Sequence, residues 1–147
     1  MRDTIFKRLP LVLIAFVTNS CSKPLMEVDA CINGSQLGLV IKPVEHWYGN
    51  EQPKIQTITV VQYGPDGQPL KSGPVWGSRL REPTSSTGTP TALIVYGHDP
   101  AGFWSYITAH PLQIGQRFYA DLDAEGYQGV TEFSFDRSLS ECQKISK

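Results

Sequence analysis

Residues 117–135 read RFYADLDAEGYQGVTEFSF, and this stretch decides the fold class. Before and after its glycines, every second side chain belongs to one set, and most of the side chains between them are polar. The set consists of Phe118, Ala120, Leu122, Thr131, Phe133 and Phe135. A period of two is typical of strands that bury one face. Residues 124–129 between them contain two glycines, which favours a hairpin loop. The stretch therefore predicts two half-buried antiparallel strands.

The same type of pattern predicts further strands at residues 37–42, 54–63, 91–97 and 103–108. Residues 54–63 (KIQTITVVQY) are apolar on both faces, which predicts a central strand. Residues 64–67 (GPDG) predict a turn, and the chain returns through residues 68–70 and then Val75-Trp76. About seven short strands on this spacing, with no amphipathic helix after the N-terminal segment, predict an all-β domain: a single Greek-key, immunoglobulin-like β-sandwich.

The N-terminal segment has the order of an export signal. Arg2, Lys7 and Arg8 outnumber Asp3, residues 9–17 form an apolar run, and residues 18–20 (TNS) lead into Cys21. The run is too short to span a bilayer as a mature helix. No other hydrophobic run in the chain has membrane length.

This segment resembles a bacterial lipoprotein signal peptide. The resemblance implies cleavage after Ser20, acylation of Cys21 and a lipid anchor in the cell envelope. Ser22 after the cysteine implies the outer membrane, facing the periplasm, whereas Asn19 departs from the small or apolar residue of the family. The predicted organisation is a signal peptide at residues 1–20, a lipidated tether at 21–30 and a β-sandwich at 31–147. The alternatives are ordinary secretory cleavage near Ser20 or Ser22, which leaves Cys21 as a free thiol, and an uncleaved N-terminal anchor.

The chain has three cysteines, and acylation of Cys21 leaves Cys31 and Cys142 to pair. An exported chain enters an oxidising compartment, so we predict a disulfide bond between them in preference to two reduced, buried thiols. In the chain-entropy model, closing a loop of about 110 residues stabilises a fold by roughly 4–5 kcal/mol. The bond would place the first and last strands side by side.

Charge and motifs exclude several classes of function. The net charge is −1, which favours neither nucleic acid nor an acidic surface as partner. His46, His98 and His110 are far apart, and the chain contains no P-loop, G-x-S-x-G or H-E-x-x-H motif. We therefore predict that the chain is not an enzyme and has no catalytic residue and no cofactor. We also predict a monomer. We interpret His98-Asp99 as a turn in which Asp99 accepts hydrogen bonds from backbone amides.

One acidic segment is close to a calcium loop. Asp121, Asp123, Glu125, Gly126 and Glu132 follow D-x-D-x-E-G-x5-E, which is near the EF-hand pattern of alternating oxygen ligands. Both flanks are predicted strands, however, and a solvated hairpin already explains outward-facing carboxylates. We therefore predict no metal site there.

Two stretches carry a resemblance to known domains. Pro111, Leu112, Gly115 and Phe118 form a P-L-x-x-G-x-x-F pattern that resembles the turn into the next-to-last strand of immunoglobulin-like domains. Residues 96–103 (YGHDPAGF), together with 111–115 (PLQIG), are similar to a pattern in small exported proteins and lipoproteins of proteobacteria. This second resemblance covers about a third of the mature chain, and no activity comes with it.

Aromatic residues supply the candidate binding site. Trp47, Tyr48, Trp104 and Tyr106 fall in or beside predicted loops, where sandwich domains bind their partners. We interpret them as the binding surface of a non-catalytic protein-interaction module, such as an inhibitor, immunity or accessory factor. Its expected partner is an envelope protein. The alternatives are a glycan or small-ligand site, or aromatic side chains that only cap the core. A hydrolase is the least favoured reading.

Overall fold

The computed structural model describes residues 22–82 and 90–145. The predicted signal peptide and Cys21 lie outside the described residues, as do residues 83–89. Within them the chain forms ten strands and one helical turn. In chain order these are β1 (Val28–Asn33), β2 (Gln36–Ile41), β3 (Val44–His46), β4 (Gly49–Glu51), β5 (Ile55–Gln62), β6 (Trp76–Leu80), β7 (Leu93–Val95), β8 (Phe103–Ile107), β9 (Arg117–Ala124), β10 (Tyr127–Ser134) and α1 (Cys142–Ile145).

These strands form three antiparallel sheets. Five strands pair in the order β10-β9-β5-β6-β8, three in the order β1-β2-β7, and β3 pairs with β4 in a separate hairpin. The all-β, antiparallel prediction is confirmed. The strand at residues 54–63, predicted to be central, is β5, the middle strand of the larger sheet.

One hydrophobic core draws side chains from both larger sheets. Leu37, Leu39 and Ile41 enter it from β2, on the face that the alternation predicts. Phe118 and Leu122 enter it from β9, where each second residue is buried. The predicted turn into the next-to-last strand is also present, because Gly115 adopts a φ of 82° and Leu112 packs against the core.

The predicted disulfide between Cys31 and Cys142 is confirmed, with Cα atoms 4.9 Å apart and a sequence separation of 111. It packs against Gly38 of β2, where an added Cβ would lie 2.5 Å from Cys142 Sγ. Cys142 begins α1, so the bond joins β1 to this helix and not to the last strand. The first and last strands, β1 and β10, nonetheless lie close together. Helix α1 was not predicted: its four residues are too few to show a helical period.

Residues 21–30, the predicted tether, include the start of the first strand. β1 already begins at Val28, and residues 24–26 dock along the edge of β10. Gln128 N donates to Pro24 O at 3.0 Å, and Met26 N donates to Gln128 O at 2.9 Å. Gly129 permits this docking, since a Cβ there would lie 2.6 Å from Val28 Cγ2.

Candidate functional site: two aromatic patches

Trp47 and Tyr48 form the turn between β3 and β4, with 96% and 65% of their surfaces exposed. The His46 ring stacks on Tyr48 with centroids 4.8 Å apart and an interplanar angle of 6°. The Trp47 ring meets Tyr48 edge-on at 5.4 Å. Trp47 therefore projects from the hairpin and does not cap the core. We call Trp47 and Tyr48, together with the exposed Leu25 of the N-terminal segment docked on β10, the hairpin patch.

Polar contacts hold this hairpin on the end of β10. The Tyr127 hydroxyl lies 2.9 Å from His46 Nε2 and donates to Glu51 Oε2 at 3.4 Å. Burial raises the pKa of Tyr127, and the Glu51 carboxylate raises it further, so the hydroxyl keeps its proton at neutral pH. The base of the hairpin is thus fixed while its tip remains open.

Trp104 and Tyr106 lie within β8, in the middle of the predicted strand rather than in a loop. Phe103 is buried in the core, so the alternation turns Trp104 and Tyr106 to the outer face of the sheet. The Arg79 guanidinium on the neighbouring strand lies 4.9 Å from the Trp104 ring centroid and 5.3 Å from that of Tyr106. We call Arg79, Trp104 and Tyr106 the β8 patch.

Gly77 of β6 makes the β8 patch flat. A Cβ at Gly77 would lie 2.6 Å from Tyr106 Cζ, so the Tyr106 ring rests directly on the β6 backbone. The Tyr106 hydroxyl then reaches Thr59 Oγ1 on β5 at 3.0 Å. Sequence reasoning missed both Gly77 and Arg79. The signal for Gly77 was a glycine inside a strand, which often marks a close approach to the backbone.

The outer face of the larger sheet continues away from β8 with further aromatic rings. Tyr63 and Tyr119 pack with centroids 5.5 Å apart, and the Arg117 guanidinium lies 5.3 Å from the Tyr63 ring. The Tyr63 hydroxyl donates to Glu132 Oε1 at 2.7 Å. This end of the face is already internally paired.

Asp99 accepts hydrogen bonds from Ser78 of β6 and Ser105 of β8. Its Oδ1 accepts bonds from Ser78 Oγ at 2.6 Å and Ser105 Oγ at 2.7 Å, and its Oδ2 accepts one from Ser105 N at 2.8 Å. Burial alone would raise the pKa of Asp99, but these hydrogen bonds outweigh it and hold the pKa below its usual value. Asp99 thus accepts from a backbone amide, as predicted. His98 contacts Gln36 instead, at 3.0 Å.

The two patches lie at opposite edges of the larger sheet. The hairpin patch sits beside β10, and β8 is the last strand at the other edge. Four strand spacings separate these edges, about 19 Å. Trp47, Tyr48, Trp104 and Tyr106 therefore do not form one surface.

The carboxylates of the acidic hairpin have protein partners. Asp121 accepts from Gln128 at 3.3 Å, Asp123 pairs with Lys23 at 2.7 Å, and Glu132 binds Tyr63. Within residues 22–82 and 90–145, no three His, Cys, Asp or Glu side chains come close enough together to hold a metal ion. The same residues contain no helix of the length and hydropathy needed to cross a bilayer.

A groove of about 750 Å³ lies between the hairpin and the docked N-terminal segment. Leu25 and Glu27 line one side, and Val44, Glu45 and Asn50 line the other. The described residues that line it include no aromatic ring. It is therefore not the pocket of converging aromatic side chains that a glycan site would need.

Comparisons with protein-family models, curated proteins and solved structures gave no match to this chain.

Proposed function

We propose that this chain is an acylated envelope lipoprotein whose β domain binds a protein partner through the β8 patch and has no catalytic role. The observation that carries the proposal is the Arg79 guanidinium held over two outward-facing rings, Trp104 and Tyr106, on a flat sheet face. Arginine, tryptophan and tyrosine are the residue types that contribute most at protein interfaces.

The finer description of the fold is part of the proposal: a Greek-key, immunoglobulin-like β-sandwich. The chain passes between the two larger sheets three times, at β2 to β5, β6 to β7 and β7 to β8. A single core contains residues of both sheets. Such crossings are typical of sandwiches, in which strands consecutive in sequence belong to different sheets.

The anchor is proposed from the sequence. Acylation at Cys21 accounts for the odd cysteine, because Cys31 and Cys142 are bonded to each other. An acyl anchor also fits the export signal, because it retains the exported protein on a membrane of the envelope. We propose the outer membrane, with the domain facing the periplasm. The membrane and one envelope protein are then its partners.

The chemistry of the β8 patch favours a partner that offers a carboxylate. Arg79 is exposed and enters none of the ion pairs formed among the described residues. Its guanidinium lies over both rings, and the planar group with its five N–H donors is suited to bind a carboxylate in a bidentate manner. We propose an acidic side chain of the partner at this position.

The other readings have less support. The groove beside the hairpin has no aromatic wall for a sugar ring. Ser78 and Ser105 both donate to Asp99, and His98 contacts Gln36. The serine, histidine and aspartate side chains therefore do not form a nucleophile with its general base. This geometry favours binding over hydrolysis.

Photo-crosslinking in cells that make the full chain tests the interface. Thr57 lies opposite Arg79 in the β5–β6 pairing, so a photoreactive phenylalanine at position 57 reports on the β8 patch. We expect this reporter to form one main covalent protein adduct. Adding Arg79→Glu should abolish the adduct, because it reverses the charge offered to the partner's carboxylate.

Ile114 provides the matched control position, since 80% of its surface is exposed in the turn before β9. The same photoreactive residue at position 114 should not give the adduct. An adduct that forms equally from both positions, or that survives Arg79→Glu in a folded chain, would contradict the proposal.

A further inference from the structure

We infer that the hairpin patch is a second membrane contact: Leu25, Trp47 and Tyr48 rest in the headgroup region of the bilayer that holds the acyl chains. This inference rests on the acyl anchor at Cys21 proposed above. It concerns a surface at the opposite edge of the larger sheet from the β8 patch.

The first step is the short link between the anchor and the fold. Pro24 and Met26 are hydrogen-bonded to Gln128 of β10, so the folded part of the chain begins only three residues after Cys21. Three extended residues span at most about 11 Å. Whatever surrounds Pro24 is therefore held close to the membrane.

The second step is that the base of the hairpin lies next to this point. Tyr127 contacts the base of the hairpin, and the next residue, Gln128, carries the N-terminal segment. Leu25 and Val44 line the same groove. The anchor point and the hairpin are thus neighbours on one side of the domain.

The third step is the chemistry of the patch. Trp47, Leu25 and Tyr48 have 96%, 80% and 65% of their surfaces exposed. Tryptophan and tyrosine concentrate where hydrocarbon meets water, because each has an apolar ring and a polar hydrogen-bonding group. Three exposed large side chains on the side of the domain that carries the N-terminal segment fit the surface of a bilayer.

Charge gives no reason to expect a preference for anionic lipid. Around the patch, Lys42 pairs with Glu27 and Asp29, and Lys54 pairs with Glu125. Contact would depend on insertion of the rings. Neutral phosphatidylcholine is therefore the appropriate test lipid.

Tryptophan fluorescence can test this inference in the acylated full chain, reconstituted into brominated phosphatidylcholine vesicles. Trp104→Phe leaves Trp47 as its surface tryptophan, and Trp47→Phe leaves Trp104; both keep the buried Trp76. Brominated lipid should quench Trp104→Phe several-fold more strongly than Trp47→Phe. Aqueous acrylamide should give the opposite order.

Separate measurements report on the acyl anchor and on the membrane contact of the hairpin patch. Fatty-acid labelling and co-flotation with vesicles report on acylation, whereas bromine quenching reports on Trp47. If the chain proves not to be acylated, the anchor proposal fails, and the same two variants mixed with excess brominated vesicles still test the contact. Equal lipid quenching of the two variants, or acrylamide access to Trp47 on the membrane as free as in solution, would overturn the inference. The second outcome would point to a protein partner at the hairpin.

Discussion

The two aromatic patches contain the same residue types, but the fold supports them differently. Trp104 and Tyr106 belong to a strand of the larger sheet, next to Arg79 and directly over Gly77. Trp47 and Tyr48 belong to the tip of a short hairpin, where their ring contacts are with each other and with His46. The β8 patch belongs to the wide face of a sheet, whereas the hairpin patch projects from the domain.

In our proposal, this difference lets exposed aromatic side chains of one chain serve two environments. A flat, preorganised face fits a folded protein, because little side-chain entropy is lost on binding. A projecting tip beside a lipid anchor fits a soft interface. The predictions below test whether the two patches are as independent as the structure indicates.

The largest expected effect is the loss of the disulfide. Replacing Cys31 and Cys142 by serine removes the constraint on a long loop and should lower the free energy of unfolding by about 4–5 kcal/mol in the chain-entropy model. Hydrogen exchange should show β1 and β2, on the side of the anchor, losing protection before β6 and β8. Earlier loss in β8 would contradict the independence of the patches. Urea melts of wild type and the double variant supply the energies.

The three tryptophans give the next comparison. Trp76 is fully buried and donates from Nε1 to Ser105 Oγ, so Trp76→Ala should lower the free energy of unfolding by about 3–5 kcal/mol. Trp104→Ala should cost about 1 kcal/mol, and Trp47→Ala should stay within about 0.5 kcal/mol, because their exposure increases in that order. Urea melts of the three variants measure this series. A loss of several kcal/mol in Trp47→Ala would make this residue part of the core.

The smallest expected effect is a pH dependence specific to the β8 side. The folded pKa of Asp99 lies below its unfolded value of about 3.8, so ionised Asp99 stabilises the fold above that pH. The contribution is lost as pH falls through the folded pKa. Lowering the pH from about 5 to about 3 should therefore destabilise wild type more than Asp99→Asn in urea melts. Equal losses would show that Asp99 does not support β8.

Much of the fold was predictable from local patterns. Residues 117–135 alternate so regularly that β9 and β10 follow from the sequence, and the apolar faces of residues 54–63 place β5 centrally. The docking of residues 24–26 was not predictable. It depends on the absence of a side chain at Gly129, a distant position whose role appears only in three dimensions.

The candidate site was predictable in residue type but not in arrangement. The sequence indicated Trp47, Tyr48, Trp104 and Tyr106 as exposed aromatic side chains, yet their separation across the sheet depends on strand order, which periodicity does not encode. Arg79 was missed because a lone arginine in a strand has no local signal. Its role arises from pairing between β6 and β8.

Fatty-acid labelling of the full chain and of Cys21→Ser tests the anchor, on which the assignment of the two patches to different environments depends. We predict that the parent chain incorporates labelled fatty acid and fractionates with the membrane. Cys21→Ser should lose the label and its acyl-dependent attachment to the membrane. A parent chain without label, or a label that persists in Cys21→Ser, would contradict the account.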